Sequence, residues 1–214
     1  MKILGVLLVS ISSTFSTLAQ STSQSPAGAI WLDPPANLIA RAIDDGFSSR
    51  KLPKNERYHE ILNWMKPAID SRMVVIPPLF CALQMGQTAH DKLLPKPSVD
   101  SVIQACKGRI TVTFVHYSQA LSANWPCVLM KGDTTLQPTV KVPDANPQVA
   151  KYYAGFIGGD QVGYRYVDIY SFNLPPDWAT SPVTLTYANE LGNHGSFTLD
   201  FSSFEDDVAG RLKP

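Results

Sequence analysis

Hydrophobic and polar positions alternate with a period of two over much of the chain after residue 72. In RITVTFVHY (109–117), Ile110, Val112, Phe114 and His116 fall on one side and Thr111, Thr113, Val115 and Tyr117 on the other. That is the pattern of a β-strand, whose successive side chains point to opposite faces. GYRYVDIYSF (163–172) repeats it, with Tyr164, Tyr166, Asp168, Tyr170 and Phe172 on one face and Val167 and Ile169 on the other. Further strands are predicted at 73–76, 127–131, 136–142, 152–157, 183–187 and 196–201. Turn-forming residues separate them: Lys131-Gly132-Asp133, Pro143 to Pro147, Gly158-Gly159-Asp160 and Pro175-Pro176-Asp177. The gaps are too short for helical crossovers, so the pairing is expected to be antiparallel. Strand number and size predict a mainly β fold, an antiparallel β-sandwich of the immunoglobulin-like kind, over residues 72–204. A closed barrel shares the same periodicity.

Ahead of the strands the period lengthens. Leu38, Ile39, Ala42 and Ile43 form a helical stripe, with Asp33 before Pro34-Pro35 as the expected N-cap and Gly46 as the expected end. Tyr58, Ile61, Leu62 and Met65 fall at i, i+3, i+4 and i+7 and predict a second helix, capped by Asn55, ended at Pro67 and docked through Trp64. Two short amphipathic helices are therefore expected in a region 20–71 that opens with a flexible polar stretch. The charged segment 205–214 reads as a fraying tail.

Residues 1–19 have the layout of a cleavable export signal: Lys2, an apolar run over 3–11, and small residues before a cut after Ala19. The apolar run is too short to cross a bilayer as a helix, so no transmembrane anchor is expected in the mature chain. A secreted or periplasmic protein follows. Its charge is balanced, with 18 Lys+Arg and 18 Asp+Glu. Without a strong basic field, nucleic acid is not an expected partner.

Export gives the cysteines meaning. Cys81, Cys106 and Cys127 allow one disulfide and one thiol. A Cys81–Cys106 or a Cys106–Cys127 bridge stabilises by roughly 3 kcal/mol from loop entropy, so energetics leaves both open. The Cys81–Cys106 pairing is preferred because it ties down the weakly periodic stretch 82–105, while Cys127 lies in an apolar run.

Candidate chemistry is sparse. His59, His90, His116 and His194 are scattered and form no metal-ligand pattern. His194 is expected to be a solvated loop residue between Asn193 and Gly195. His116 continues the row of Val112 and Phe114 and is expected to be buried with one hydrogen bond, in preference to pairing with Cys81 or Cys127. Asp133, Asp144 and Asp160 lie in turns, where aspartate serves backbone N–H groups. No nucleophile elbow, phosphate loop or dinucleotide fingerprint is present. No catalytic residue, metal or cofactor is assigned.

The strongest surface candidate is aromatic. If Val167 and Ile169 face inward, Tyr164, Tyr166 and Tyr170 face outward beside Asp168, a platform for stacking on a ligand, with Trp178 exposed nearby. The expected function is thus an exported, non-catalytic binding or interaction module, its partner a glycan, a peptide or an envelope protein. The alternatives are a secreted hydrolase with carboxylates brought together by the fold, and a structural subunit that pairs through a sheet edge.

Overall fold

Four helices and ten strands follow one another in the computed structural model, which describes residues 30–65, 71–121, 125–153, 159–188 and 194–213. The export signal, the polar stretch 20–29 and Pro67 lie outside the described residues. In chain order the elements are α1 (Ala36–Phe47), β1 (Ile61–Met65), β2 (Ser71–Ile76), α2 (Pro78–Asp91), α3 (Val99–Cys106) and β3 (Arg109–Ser118). Then come β4 (Cys127–Lys131), β5 (Thr134–Leu136), β6 (Val140–Val142), β7 (Gln148–Tyr153), β8 (Asp160–Asn173), β9 (Val183–Ala188), β10 (His194–Leu199) and α4 (Ser202–Leu212).

The strands form two antiparallel sheets. One has six strands in the order β1-β2-β3-β8-β6, with β7 pairing the opposite end of β8 from β6. The other has four, β10-β9-β4-β5. Neither closes into a barrel. The expected strand 136–142 is divided between them. Leu136 ends β5 opposite Leu129, whereas Val140 opens β6 opposite Ser171. Pro138 lies between the two and lacks the N–H a ladder needs, so the chain changes sheets there.

Both sheets and all four helices contribute to one core. The even-numbered residues of β3 and β8 (Ile110, Val112, Phe114, Tyr166, Tyr170, Phe172) meet Cys127 and Leu129 of β4, Val183 and Leu185 of β9, and Leu199 of β10. Phe114 joins the sheets directly, with its ring 5.5 Å from that of Trp125 and 5.2 Å from that of Tyr187. Met73 and Val75 of β2 extend the same core beneath α1, α2 and α3.

The helical part departs from the sequence expectation. The segment expected to be the second helix is the edge strand β1, in which Trp64 pairs with Arg72 and Leu62 with Val74. Four residues over a span of eight match a helical period, but β2 offers a free edge, and ladder hydrogen bonds along it outweigh a weak local preference. Helix α2 starts with Pro78 at its first position, so Pro77-Pro78 ends one element and opens the next. Helix α3 is capped by Ser98, whose side chain accepts from Ser101 N. The disulfide joins Cys81 of α2 to Cys106 of α3, with Cα atoms 6.1 Å apart, and Cys127 is a buried thiol. Helix α1 begins at Ala36 after extended Pro35, with no side-chain cap, and Asp33 pairs instead with Lys107 at 2.8 Å.

Gly46 lies inside α1 rather than after it, and there it sets the spacing of the helices. A Cβ on Gly46 would overlap the Leu83 carbonyl oxygen of α2, and one on Gly86 would overlap the Ile43 carbonyl oxygen of α1. Ala42 and Ala82, one turn earlier on each helix, are fully buried. Small residues at i and i+4 on both partners let the backbones touch.

The C-terminal segment is no fraying tail. Helix α4 buries Phe204 and Val208, and Trp31 packs on Phe201 and Phe204 with centroids 4.9 and 5.2 Å away. Arg211 donates to the Glu56 and Arg57 carbonyls and lies 3.7 Å from the Tyr58 ring, pinning the segment that enters β1.

Candidate functional site

Strand β8 decides where function can sit, because each of its faces meets a different environment. Its even-numbered face is the inside of the protein. Tyr166, Asp168, Tyr170 and Phe172 are all essentially without solvent exposure, and Tyr164 is half-buried against the core. The tyrosine row therefore points inward, the reverse of the expected orientation. Trp178 is likewise buried, in a short 3-10 turn (Pro176–Trp178). The reason is volume and satisfaction of the hydroxyls. Large rings fill the space between two sheets, and their O–H groups find main-chain acceptors there. Tyr166 donates to the Ala120 carbonyl at 2.6 Å and Tyr170 to the Trp125 carbonyl.

Among these rings lies one polar pair. His116, opposite Tyr166 in the β3–β8 ladder, is fully buried, with Nε2 3.1 Å from Asp168 Oδ2. An ionised carboxylate only accepts, so Nε2 carries the proton and donates. The imidazole lies between Trp125, 4.3 Å away at 22°, and Tyr166, 5.0 Å away at 8°. Its Nδ1 has no hydrogen-bond partner among the described residues. Asp168 Oδ1 accepts from Asp144 N at 2.9 Å. The Asp144 carboxylate in turn accepts from Val167 N and Asn146 N, closing the turn where the β8 edge passes from β6 to β7. Asp144 thus does what a turn aspartate is expected to do.

The electrostatics match this geometry. Burial opposes the Asp168 charge, but the His116 hydrogen bond and the Asp144 N–H outweigh it and hold the carboxyl below its usual range. Burial, with the Asp168 charge beside it, pushes the Tyr170 phenol well up. Burial raises the Cys127 thiol to about 12. A His–Asp pair is two-thirds of a catalytic triad, yet here the ring is covered on both faces and closed to solvent. The arrangement joins β3, β8 and the 143–147 turn, and it presents no reacting atom to a substrate. No group of three or more His, Cys, Asp or Glu placed to hold a metal occurs among the described residues. His194 opens β10 and is exposed, paired with Ala188.

No family model, curated protein or solved structure matches the chain.

The odd-numbered face of β8 is the outside of the six-stranded sheet. Strand register builds it row by row. Leu62, Val74, Thr113, Ile169 and Val142 run side by side across β1, β2, β3, β8 and β6. Ile76, Thr111, Ser171 and Val140 form the row on one side of it, and Arg72, Val115 and Val167 the row on the other. Val74, Ile76 and Ser171 are buried, Thr111, Thr113, Val115, Val167 and Ile169 are partly covered, and none of them joins the main cluster between the sheets. Leu62, Val140 and Val142 are 44, 41 and 50% exposed, so the face opens to solvent at both flanks. In the sequence this face is the set alternating with the tyrosines, and its Val167 and Ile169 are expected inside; the structure turns them outward.

Proposed function

We propose that the protein is an exported, non-catalytic interaction module that engages a partner protein through the outer face of its six-stranded sheet. The observation that carries this reading is the two-faced burial of β8. Its aromatic side is consumed by the core, while its Val/Ile side is only partly covered and continues to the exposed Val140 and Val142 of β6, with Leu62 exposed at the far edge. A contiguous apolar surface of this kind marks an interaction site more often than a scatter of single residues does. Apart from Leu62 at the edge, the side chains of its middle row are β-branched, so the face is flat and suited to a protein surface laid against it. Export is supported by the arrangement of the first nineteen residues, and the disulfide fits an oxidising compartment. No described helix is long and apolar enough to cross a membrane. The two sheets are read here as an immunoglobulin-like sandwich, on strand number and on their packing through Phe114.

Site-specific photocrosslinking in the exporting host tests the reading. A benzophenone side chain at Val142 or Thr113 is expected to give a discrete adduct that the same group at Leu94, exposed on the helical side, does not. Equal adducts from both sides, or none from the sheet face, would count against the proposal.

A further inference from the structure

Past the apolar rows, the β7 end of the six-stranded sheet carries a different surface. Strand pairing sets Tyr117 of β3, Arg165 of β8 and Gln148 of β7 side by side, then Gly163 beside Ala150, then Gln161 beside Tyr152. Residues paired across a ladder share a face, so all of these lie on the outside of the sheet. Tyr117 and Tyr152 come from strands on opposite sides of β8, yet their rings stack with centroids 5.4 Å apart at 22°. Gly163 is what lets them meet. A Cβ there would come to 2.9 Å from Tyr152 Cε1 and 2.6 Å from the Ser118 carbonyl oxygen, so the ring reaches over bare backbone. Gln161, opposite Tyr152, accepts from the Gln119 amide at 3.3 Å. Tyr117, Tyr152 and Arg165 are each partly exposed, and Gln119 and Gln148 are exposed.

The polar groups of this patch are uncommitted. Tyr58, Tyr166 and Tyr170 donate their hydroxyls to Asp45 and to the Ala120 and Trp125 carbonyls. Among the described residues, the hydroxyls of Tyr117 and Tyr152 and the Arg165 guanidinium have no hydrogen-bond or ion-pair partner. No carboxylate stands in these rows. Lys151 and Asp160 fall on the opposite face, and Asp144, in the turn before β7, already accepts from Val167 N and Asn146 N. We propose that the patch binds an oligosaccharide that bears a carboxylate. The electron-rich faces of the tyrosine rings attract the C–H side of a sugar ring. Side-chain amides both donate and accept, as sugar hydroxyls do. The guanidinium offers a planar fork to a carboxylate, and a neutral sugar would leave it without that partner. A peptide fits less well, because an anchoring side chain needs a pocket and Gly163 and Ala150 give a shallow floor. The patch lies apart from the apolar rows that end on β6, and this ligand does not depend on the protein partner proposed for them.

Titration calorimetry of the full chain tests this with a galacturonic acid tetramer, the methyl ester of the same tetramer, maltotetraose and an acidic Glu/Gly peptide. The acid tetramer is expected to bind about ten-fold more tightly than its ester. Arg165→Gln should erase that preference and leave ester-like binding. Tyr152→Ala should weaken the acid and the ester alike, by roughly ten-fold, while Tyr152→Phe, which keeps the ring, should retain most of the binding. Tyr117→Ala removes the other ring from a different strand, so a local loss of β7 pairing does not stand in for loss of the site; circular dichroism melts confirm that each variant is folded. If acid and ester bind equally and Tyr152→Ala weakens both, the carboxylate is wrong and a sugar site remains. If only the peptide binds, the ligand class is wrong. If nothing binds at millimolar ligand, or if binding ignores both Arg165→Gln and Tyr117→Ala, the site itself is wrong.

Discussion

Gly46→Ala and Gly210→Ala make the same chemical change in two helices and should move stability in opposite directions. In an exposed helix, replacing glycine by alanine stabilises by up to about 1 kcal/mol, through helix propensity and a less flexible unfolded chain. A Cβ on Gly210 of α4 meets nothing within 4 Å, so Gly210→Ala should gain about 0.5–1 kcal/mol. For a chain of this size that raises Tm by roughly 1–4 °C. On Gly46 the new methyl would run into the Leu83 carbonyl oxygen and come to 2.9 Å from Gln87 N. Both are main-chain atoms, and no side-chain rotation relieves the overlap. The helices must move apart, which costs at least the 1–3 kcal/mol typical of overpacking. After the propensity gain is subtracted, a net loss of about 1–2 kcal/mol remains, lowering Tm by roughly 2–8 °C. Gly86→Ala should behave alike, since its methyl would meet Ile43 from the other side. The double variant should lose less than the sum, because one separation of α1 from α2 relieves both overlaps. Thermal melts followed by far-UV circular dichroism measure all four proteins. If Gly46→Ala matched Gly210→Ala in sign, α1 and α2 would not be in backbone contact, and the placement of the helices would be wrong.

Two further predictions concern the buried polar groups. Asp168 has a depressed pKa in the folded chain, so its contribution to stability is complete above the unfolded carboxylate pKa of about 4 and is lost as pH falls through the folded value. The stability gap between the native chain and Asp168→Asn, measured by urea unfolding, should shrink as pH falls below about 4; a gap that keeps its pH 5 value at lower pH would contradict the hydrogen-bonded, depressed carboxyl. Cys127 is buried, with its thiol raised to about 12, so at pH 8 a thiol reagent should find no reactive group in the folded protein and one after denaturation without reductant; rapid labelling of the folded chain would show that β4 is not packed as described.

Much of the sheet was legible in the alternation of β3 and β8, because a period of two over eight or more residues has no helical counterpart. What alternation does not reveal is which face is inside. Val167 and Ile169 are more apolar than Tyr166 and Tyr170, and transfer energy alone would bury them. The fold buries the tyrosines instead because the carbonyls of Ala120 and Trp125 accept their hydroxyls, and those acceptors come from a loop more than forty residues away. Local sequence holds no sign of them. The helices α2 and α3 were obscured for another reason. Their apolar residues serve a helix–helix contact on one side and the sheet on the other, which blurs the stripe. The usable signals were Pro78 at a helix start and Ser98 as a cap. The stripe of Phe204 and Val208 in α4 was present but hidden among acids and Arg211, which bonds Asp207 one turn back on the same helix and the Glu56 and Arg57 carbonyls across the molecule.

The same alternation gives the two sides of one strand different surroundings. The even-numbered residues of β8 fill the core and hold the His116–Asp168 pair, and there is little freedom to vary them. Its odd-numbered residues contribute little to that core, so selection for folding does not explain why they are valine and isoleucine when threonine would serve a strand as well. Threonine is used on the same face at positions 111 and 113 of the adjoining strand. Leaving Val140, Val142 and Leu62 with 41–50% exposure forgoes a part of the 1.5–3 kcal/mol that full burial of such a side chain provides. Under the proposed function, that apolar area is what a partner surface would cover.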